Sequence, residues 1–281
     1  MAQPCGPTMD SREPPARSDQ PPLDGAQEET APPCVAVTGA SGSFGQALLR
    51  RWHARGARLI ALSSGTAPLE LSDDRGRPIP LRQVCWRVGE EEALTALLGE
   101  VDVLVLNHGL NVHGGRDRSA VERSLEVNAL SSWRLLELFA TVSEGRRGAG
   151  GGAPPAPGAR PRPEVWLNTS EAEIQPALSP LYEISKRLVG QLYSLRALDL
   201  THSGVGSLRL RRLVLGPFRS ALNPIGVMGA DWVAGEVMRQ AVDWNCGLVI
   251  VTPNPLTYVL MPLATLSRWA YFRLTSRAPG R

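Results

Sequence analysis

The chain is poor in lysine. Of its 30 basic residues, 29 are arginine, and Lys186 is the single lysine. Cysteine is scarce too: Cys5, Cys34, Cys85 and Cys246 are scattered and form no CxxC pair, which excludes a disulfide framework and a zinc site and points to a reducing cytoplasm. The four histidines form no metal-binding box. A net charge of +3 is too small to argue for a nucleic-acid partner. No apolar run reaches bilayer-spanning length; Leu256 to Leu266 is too short and holds Pro262. What is present, 43% apolar and 20% charged residues over 281 positions, describes an ordinary globular protein with room for one large α/β domain.

Met1 to Pro33 holds eight prolines and almost no large apolar residues, and reads as a disordered tail without a secretory leader. Glu144 to Pro163, EGRRGAGGGAPPAPGARPRP, reads as a low-complexity surface insertion. Between and after these segments short apolar runs alternate with helical spacing. Strands are expected at Cys34 to Gly39, Arg58 to Ser63, Val84 to Val88, Val101 to Asn107, Val165 to Thr169, Ser207 to Leu215 and from Leu248. Helices are expected over Phe44 to Arg55, Glu91 to Leu98, Leu125 to Val142, Pro180 to Leu200 and Ala230 to Asp243. The alternation predicts a doubly wound, Rossmann-like parallel sheet in a single domain over residues 34–252, with the ligand crevice at the carboxyl ends of its strands.

Thr38-Gly39-Ala40-Ser41-Gly42-Ser43-Phe44-Gly45 lies between the first strand and the first helix. In that context Gly39 serves a tight turn, Gly42 lets backbone amides approach a pyrophosphate, and Gly45 lets helix and strand pack closely. The second strand ends in Ser63-Ser64, with no acid to take a ribose 2′-hydroxyl. Two hydroxyls favour NADP(H) over NAD(H), with Arg50, Arg51 and Arg58 as further donors to a 2′-phosphate.

Tyr182 and Lys186 share one helix face at i,i+4. A free phenol has a pKa of about 10. A neighbouring ammonium is expected to lower it and make the tyrosine a usable acid and base. Ser170, twelve residues upstream, is placed to hydrogen-bond the same substrate oxygen. A chain that writes arginine everywhere else has a chemical reason to keep lysine at 186: a compact ammonium is not replaced by a planar guanidinium.

These residues make the chain similar to the short-chain dehydrogenase/reductase family from Cys34 to about Thr252. The resemblance implies an NAD(P)(H)-dependent oxidoreductase interconverting a carbonyl and an alcohol. It assigns Asn128, Ser170, Tyr182 and Lys186 to the proton relay and Asn107, His108 and Gly109 to the cofactor crevice. Gly216, Pro217 and Ser220 fall in the loop beside the nicotinamide. The glycine spacing TGxxGxxG is that of the family's epimerase-like branch, whereas the 95 residues after Lys186 are short for that branch's substrate domain. Arg87 and His108 depart from the usual residue types. NHGLNVHG, EVWLNTSEAEI and LGPFRSALNPIGVM further resemble bacterial members fused to a sterol-desaturase-like half. A small or hydrophobic substrate is expected, and a dinucleotide-binding scaffold without turnover is the alternative. Residues 253–281, apolar and then basic and aromatic, suit either a membrane interface or packing on the domain or a second copy.

Overall fold

The computed structural model describes residues 31–148, 160–202 and 208–276. Most of the Met1 to Pro33 tail and the middle of the Glu144 to Pro163 insertion lie outside them. Seven strands form one parallel sheet: β1 (Cys34–Thr38), β2 (Arg58–Ser63), β3 (Arg82–Cys85), β4 (Val103–Leu106), β5 (Glu164–Ser170), β6 (Arg209–Leu215) and β7 (Leu248–Val251), in the order β3-β2-β1-β4-β5-β6-β7. The helices are α1 (Ser43–His53), α2 (Thr95–Leu98), α3 (Arg118–Leu125), α4 (Ser131–Gly148), α5 (Pro180–His202), α6 (Ala230–Met238) and α7 (Pro255–Thr275). The single Rossmann-like domain expected from the alternation is what forms.

Strands β1 and β4 are apolar at nearly every position because both faces are covered. Val35 and Val37 face a layer built from Leu48, Leu49 and Trp52 of α1 and Val233 and Val237 of α6. Ala36, Leu104 and Leu106 face Leu135 and Phe139 of α4 and Val189 of α5. Trp166 of β5, wholly buried, meets Trp52 with ring centroids 5.3 Å apart. The chain reverses its winding direction between β1 and β4, which opens a crevice at their carboxyl ends.

Three local features differ from the sequence expectations. The helix expected to begin at Leu125 begins at Arg118, capped by Asp117, whose carboxylate accepts the Ala120 N–H at 3.0 Å. A π-helical stretch, Glu126–Leu130, then leads into α4, which runs to Gly148 and so into the stretch read as an insertion. Arg146 explains that extension: its guanidinium donates to the carbonyls of Gly99 and Val101 at 3.1 and 2.8 Å. On the other side of the insertion Arg160 donates to Asp102 at 3.0 Å. Finally, β6 buries Arg211 and Arg212, which periodicity alone leaves unexplained. Arg211 pairs with Glu164, its Nε 2.6 Å away, and Arg212 donates to the Gly190 carbonyl and Ser194 Oγ, each at 2.7 Å.

Candidate active site

The turn after β1 follows from its glycines. Gly39 has φ +61°, and a Cβ there would stand 2.9 Å from His108 Cα. A Cβ on Gly45 would stand 2.5 Å from the Gly39 carbonyl oxygen, so the helix start can lie on the strand end only without one. Gly42 caps α1 in extended conformation, and its missing side chain leaves room at the helix N-terminus, where unpaired N–H groups and the dipole favour an anion. Phe218 closes the cover over this turn: its ring centroid lies 5.5 Å from that of Phe44, and Ser43 donates to the Arg219 carbonyl at 3.4 Å.

A cavity of about 1070 Å³ runs over the carboxyl ends of the strands. It is lined by Gly39, Ser41, Gly42 and Phe44 from the turn, by Ser63 from β2, and by Asn107, His108 and Gly109 after β4. Ser170, Tyr182 and Lys186 line it from β5 and α5, and Gly216, Pro217 and Ser220 from the loop after β6. An extended cleft with an open anion cradle at one end and a titratable pair at the other fits a dinucleotide with a substrate beside it.

Three expected site residues do not line the cavity, and of these Gly45 has the helix–strand packing role expected of it. Gly45 is packed against the turn. Thr38 is wholly buried, and its hydroxyl takes the N–H groups of Asn107 and His108 at 2.8 and 3.2 Å and meets His108 Nδ1 at 2.9 Å. It fixes the end of β4 rather than facing a ligand. Asn128 sits in the π-helical stretch, where its amide donates to the Leu110 carbonyl and Ser185 Oγ at 2.8 and 2.9 Å and accepts from the Leu110 N–H at 2.7 Å. Its side chain positions the Gly109-Leu110 backbone through those bonds. The π geometry that turns it inward was not visible in the periodicity.

Lys186 is buried, and its ammonium donates to the Asn168 carbonyl at 3.1 Å. It lies 5.6 Å from the centroid of the Tyr182 ring. Burial pulls its pKa down from 10.5 to about 8, and the Glu173 carboxylate pulls the other way. Tyr182 corrects the sequence expectation. Burial, the largest influence, raises its pKa above the ordinary 10, and only a hydrogen bond with Ser170 opposes this. The phenol is thus held protonated, as a proton donor. Ser170 also accepts the Ala172 N–H at 3.2 Å, which fixes its hydroxyl beside the phenol.

His108 is neutral at physiological pH, its pKa pushed down to about 4 by burial and then by Lys186. Its Nε2 and Asn168 Oδ1 are buried at the cavity without a hydrogen-bond partner. Such orphaned groups are expected where a polar ligand completes the site. The arginines expected near a 2′-phosphate do not reach it. Arg50 and Arg51 turn to Asp231 of α6 at 3.4 and 3.3 Å, and Arg58 opens β2 at the end opposite Ser63. Arg87, exposed after β3, lines the cavity together with Ser63 and Ser64. Its position after a weak third strand was the signal, since that strand ends level with β2: Ser63 pairs with Cys85.

Glu173 was not foreseen. Its side chain is wholly buried, 2.9 Å from Arg268 of α7 and 3.7 Å from Arg212 of β6. It stands three residues after Ser170, and its carboxylate favours the charged form of Lys186.

A structure of a short chain dehydrogenase from Burkholderia cenocepacia J2315 in complex with NADP matches with a TM-score of 0.62 and 17% identity, covering 88% of this chain and 98% of that one. That likeness shows the fold. A "Monoglucosyldiacylglycerol epimerase" of Synechocystis is 44% identical over 85% of this chain, and a "dTDP-6-deoxy-L-talose 4-dehydrogenase (NAD(P)(+))" of Kitasatospora kifunensis is 31% identical over 76% of it. The chain spans 54% and 63% of the lengths of these two relatives. The first is named for an epimerase, where the sequence resemblance pointed to desaturase-fused members. Residues 35–191 match the model of the NAD dependent epimerase/dehydratase family, which takes in the glycine turn, Ser170, Tyr182 and Lys186, and the chain belongs to that family.

Proposed function

We propose that this protein interconverts a secondary alcohol and a carbonyl, with NADP(H) or NAD(H) along the cleft. The observation that carries this reading is the meeting of Ser170, Tyr182 and the chain's single lysine in one cavity with the glycine turn. The dinucleotide, when bound, supplies or accepts the hydride. Tyr182 gives its phenolic proton to the carbonyl oxygen in reduction and recovers it from the alcohol in oxidation. Ser170 hydrogen-bonds that same oxygen. Lys186, tethered to Asn168, offsets the phenolate charge as it develops. Gly39, Ser41 and Gly42 would hold the pyrophosphate, and His108 Nε2 and Asn168 Oδ1 offer polar contacts deeper in the cleft. Ser63, Ser64 and Arg87 favour the 2′-phosphate of NADP(H), because no acid stands there to repel it. Turnover of NADPH against a panel of ketones and keto-sugars tests the reading; no turnover with any of them, together with dinucleotide binding, would leave the scaffold alternative.

A second outcome of the same chemistry is favoured by the 44% relative. Oxidation followed by hydride return to the opposite face inverts a hydroxyl with no net change in the cofactor. The short substrate region argued against this from sequence, but most of the residues lining the cavity lie within residues 35–191, and the loop from Leu215 to Val227 supplies the rest. The relative's name directs attention to a glucosyl diacylglycerol as substrate. Following sugar configuration and NADPH absorbance together separates inversion from net reduction.

A further inference from the structure

Helix α7 is mounted with its polarity reversed. Facing the domain are Thr257, Met261, Thr265 and Arg268, spaced as one helical stripe. Thr257 Oγ1 donates to Glu171 and accepts from Gln175 at 3.2 and 2.7 Å. Thr265 Oγ1 stands 3.5 Å from Arg212, and Arg268 donates to Glu173 at 2.9 Å. Only Met261 joins an apolar cluster, with Val214 and Ile250. Facing out are Leu256, Val259, Leu260, Leu263 and Leu266, between 41% and 61% exposed. A helix seated on a domain in water buries its leucines and exposes its polar stripe; this one does the opposite. Tyr258, Trp269 and Tyr271 are exposed along the same helix.

The cavity mouth carries exposed apolar residues of its own. Asn254, the cap of α7, and Gln175 are hydrogen-bonded, and three residues beyond Gln175 stands Leu178, 93% exposed at the cavity mouth. Ile225 and Val227, 75% and 69% exposed, also line the cavity. Exposed apolar side chains in such number on one helix mark an interaction site. The sequence of residues 253–281 carries four arginines and no acidic residue; Arg268 is paired with Glu173, and the other three set the sign of the partner.

We infer that the outer face of α7 and the rim of the cavity mouth dock on the surface of an anionic lipid bilayer, with the leucines entering the acyl boundary and the aromatic and arginine side chains at headgroup level. A second copy of the chain fits less well, because paired α7 faces would bring arginines together with nothing acidic on the segment to meet them. No described helix is long and apolar enough to cross a membrane, so the contact is one of lying on the surface. The cavity then opens where the headgroup of a diacyl lipid stands, its chains still in the bilayer. In that consequence the inference deepens the proposed function and rests on it.

The test is co-sedimentation of the full chain with vesicles of phosphatidylglycerol and phosphatidylcholine, and of phosphatidylcholine alone, without cofactor or substrate. The expected result is binding to the anionic vesicles, weakened by salt and by omission of phosphatidylglycerol. Replacing both Leu263→Glu and Leu266→Glu should weaken it by roughly a hundredfold or more, since two leucines no longer leave water. Their exposure keeps the melting temperature unchanged, which is measured alongside. A wild-type chain that stays in the supernatant with both vesicles overturns the inference. So does a solution dimer that these two substitutions split, because the face is then a self-interface. Vesicle binding without turnover of any glycolipid supports the docking and removes only the substrate reading.

Discussion

The ammonium of Lys186 donates to the carbonyl oxygen of Asn168, 3.1 Å away, and so ties helix α5 to the end of β5 beside Ser170. A guanidinium in that buried position has neither the depth nor the single-point geometry for this bond. Lys186→Arg should therefore lose roughly a hundredfold or more in turnover, within the usual range for a disrupted acid–base group. Tyr182→Phe should lose at least as much, and the double variant no more than Tyr182→Phe alone. Steady-state kinetics on a carbonyl substrate found by screening would show this. Near-normal turnover by Lys186→Arg would remove the relay.

The pH dependence has a definite sign. Lys186 is charged below about pH 8 and neutral above it, while the Tyr182 phenol stays protonated through that range. Carbonyl reduction should hold level below pH 8 and fall above it as Lys186 loses its charge. For stability the sign is opposite. The unfolded chain keeps this proton up to about pH 10.5, so the folded state gains as pH rises from about 8 towards 10.5 and carries a constant cost below. A rate profile and a melting profile on the same buffers would separate the two; a rate that rises through pH 8 contradicts the role of the ammonium.

Gly42→Val should abolish dinucleotide binding and leave the fold intact. Its φ of −73° suits any residue, and an added Cβ meets the Gly39 oxygen at 3.3 Å, with the rest of the side chain in the space where the pyrophosphate would lie. Calorimetric titration with NADP and NAD measures it. Unchanged affinity in the variant would overturn the assignment of the cradle.

Arg87→Glu should reverse a preference for NADP over NAD. A charge-assisted hydrogen bond to a 2′-phosphate contributes about 1.5–3 kcal/mol, or roughly ten- to a hundredfold in the ratio of dissociation constants. Binding of the two cofactors to both proteins decides it without any substrate. An equal ratio in the two proteins would return Arg87 to the solvated surface.

Arg268→Met should lower stability by about 3 kcal/mol, because it removes one partner from the wholly buried Glu173 and leaves Arg212, at 3.7 Å, to hold it. Restoring stability with Glu173→Gln in the same chain would identify the stranded charge as the cause. An unchanged denaturation midpoint for the single variant would show that α7 is fastened elsewhere.

The strands and the glycine turn were legible because burial on both faces and a tight turn each constrain residue type strongly. β1, β2 and β4 declare themselves by unbroken apolar runs, and Gly39 and Gly45 stand where a Cβ has no room. Ser170, Tyr182 and Lys186 were legible through spacing and through the rarity of lysine. What was not legible depends on partners remote in sequence. The raised pKa of Tyr182 comes from burial by the completed fold. Thr38 read as cofactor-facing and Asn128 as a member of the relay, yet their bonds run to Asn107, His108, Leu110 and Ser185. Buried Arg212 and Glu173 lie 39 residues apart, and neither carries a local pattern that names the other.

The seam beneath α7 is made of charge and hydroxyl contacts rather than hydrocarbon. Such contacts grow stronger as the surrounding dielectric falls, while apolar seams gain nothing from the loss of water around them. Glu171 and Glu173, which this helix holds, belong to the turn that carries the Ser170 hydroxyl into the cleft. The rigidity of that turn is accordingly set from outside the cleft, by how wet the far side of one helix is. On the proposed function, a surface that dries that flank should stiffen the turn that presents Ser170.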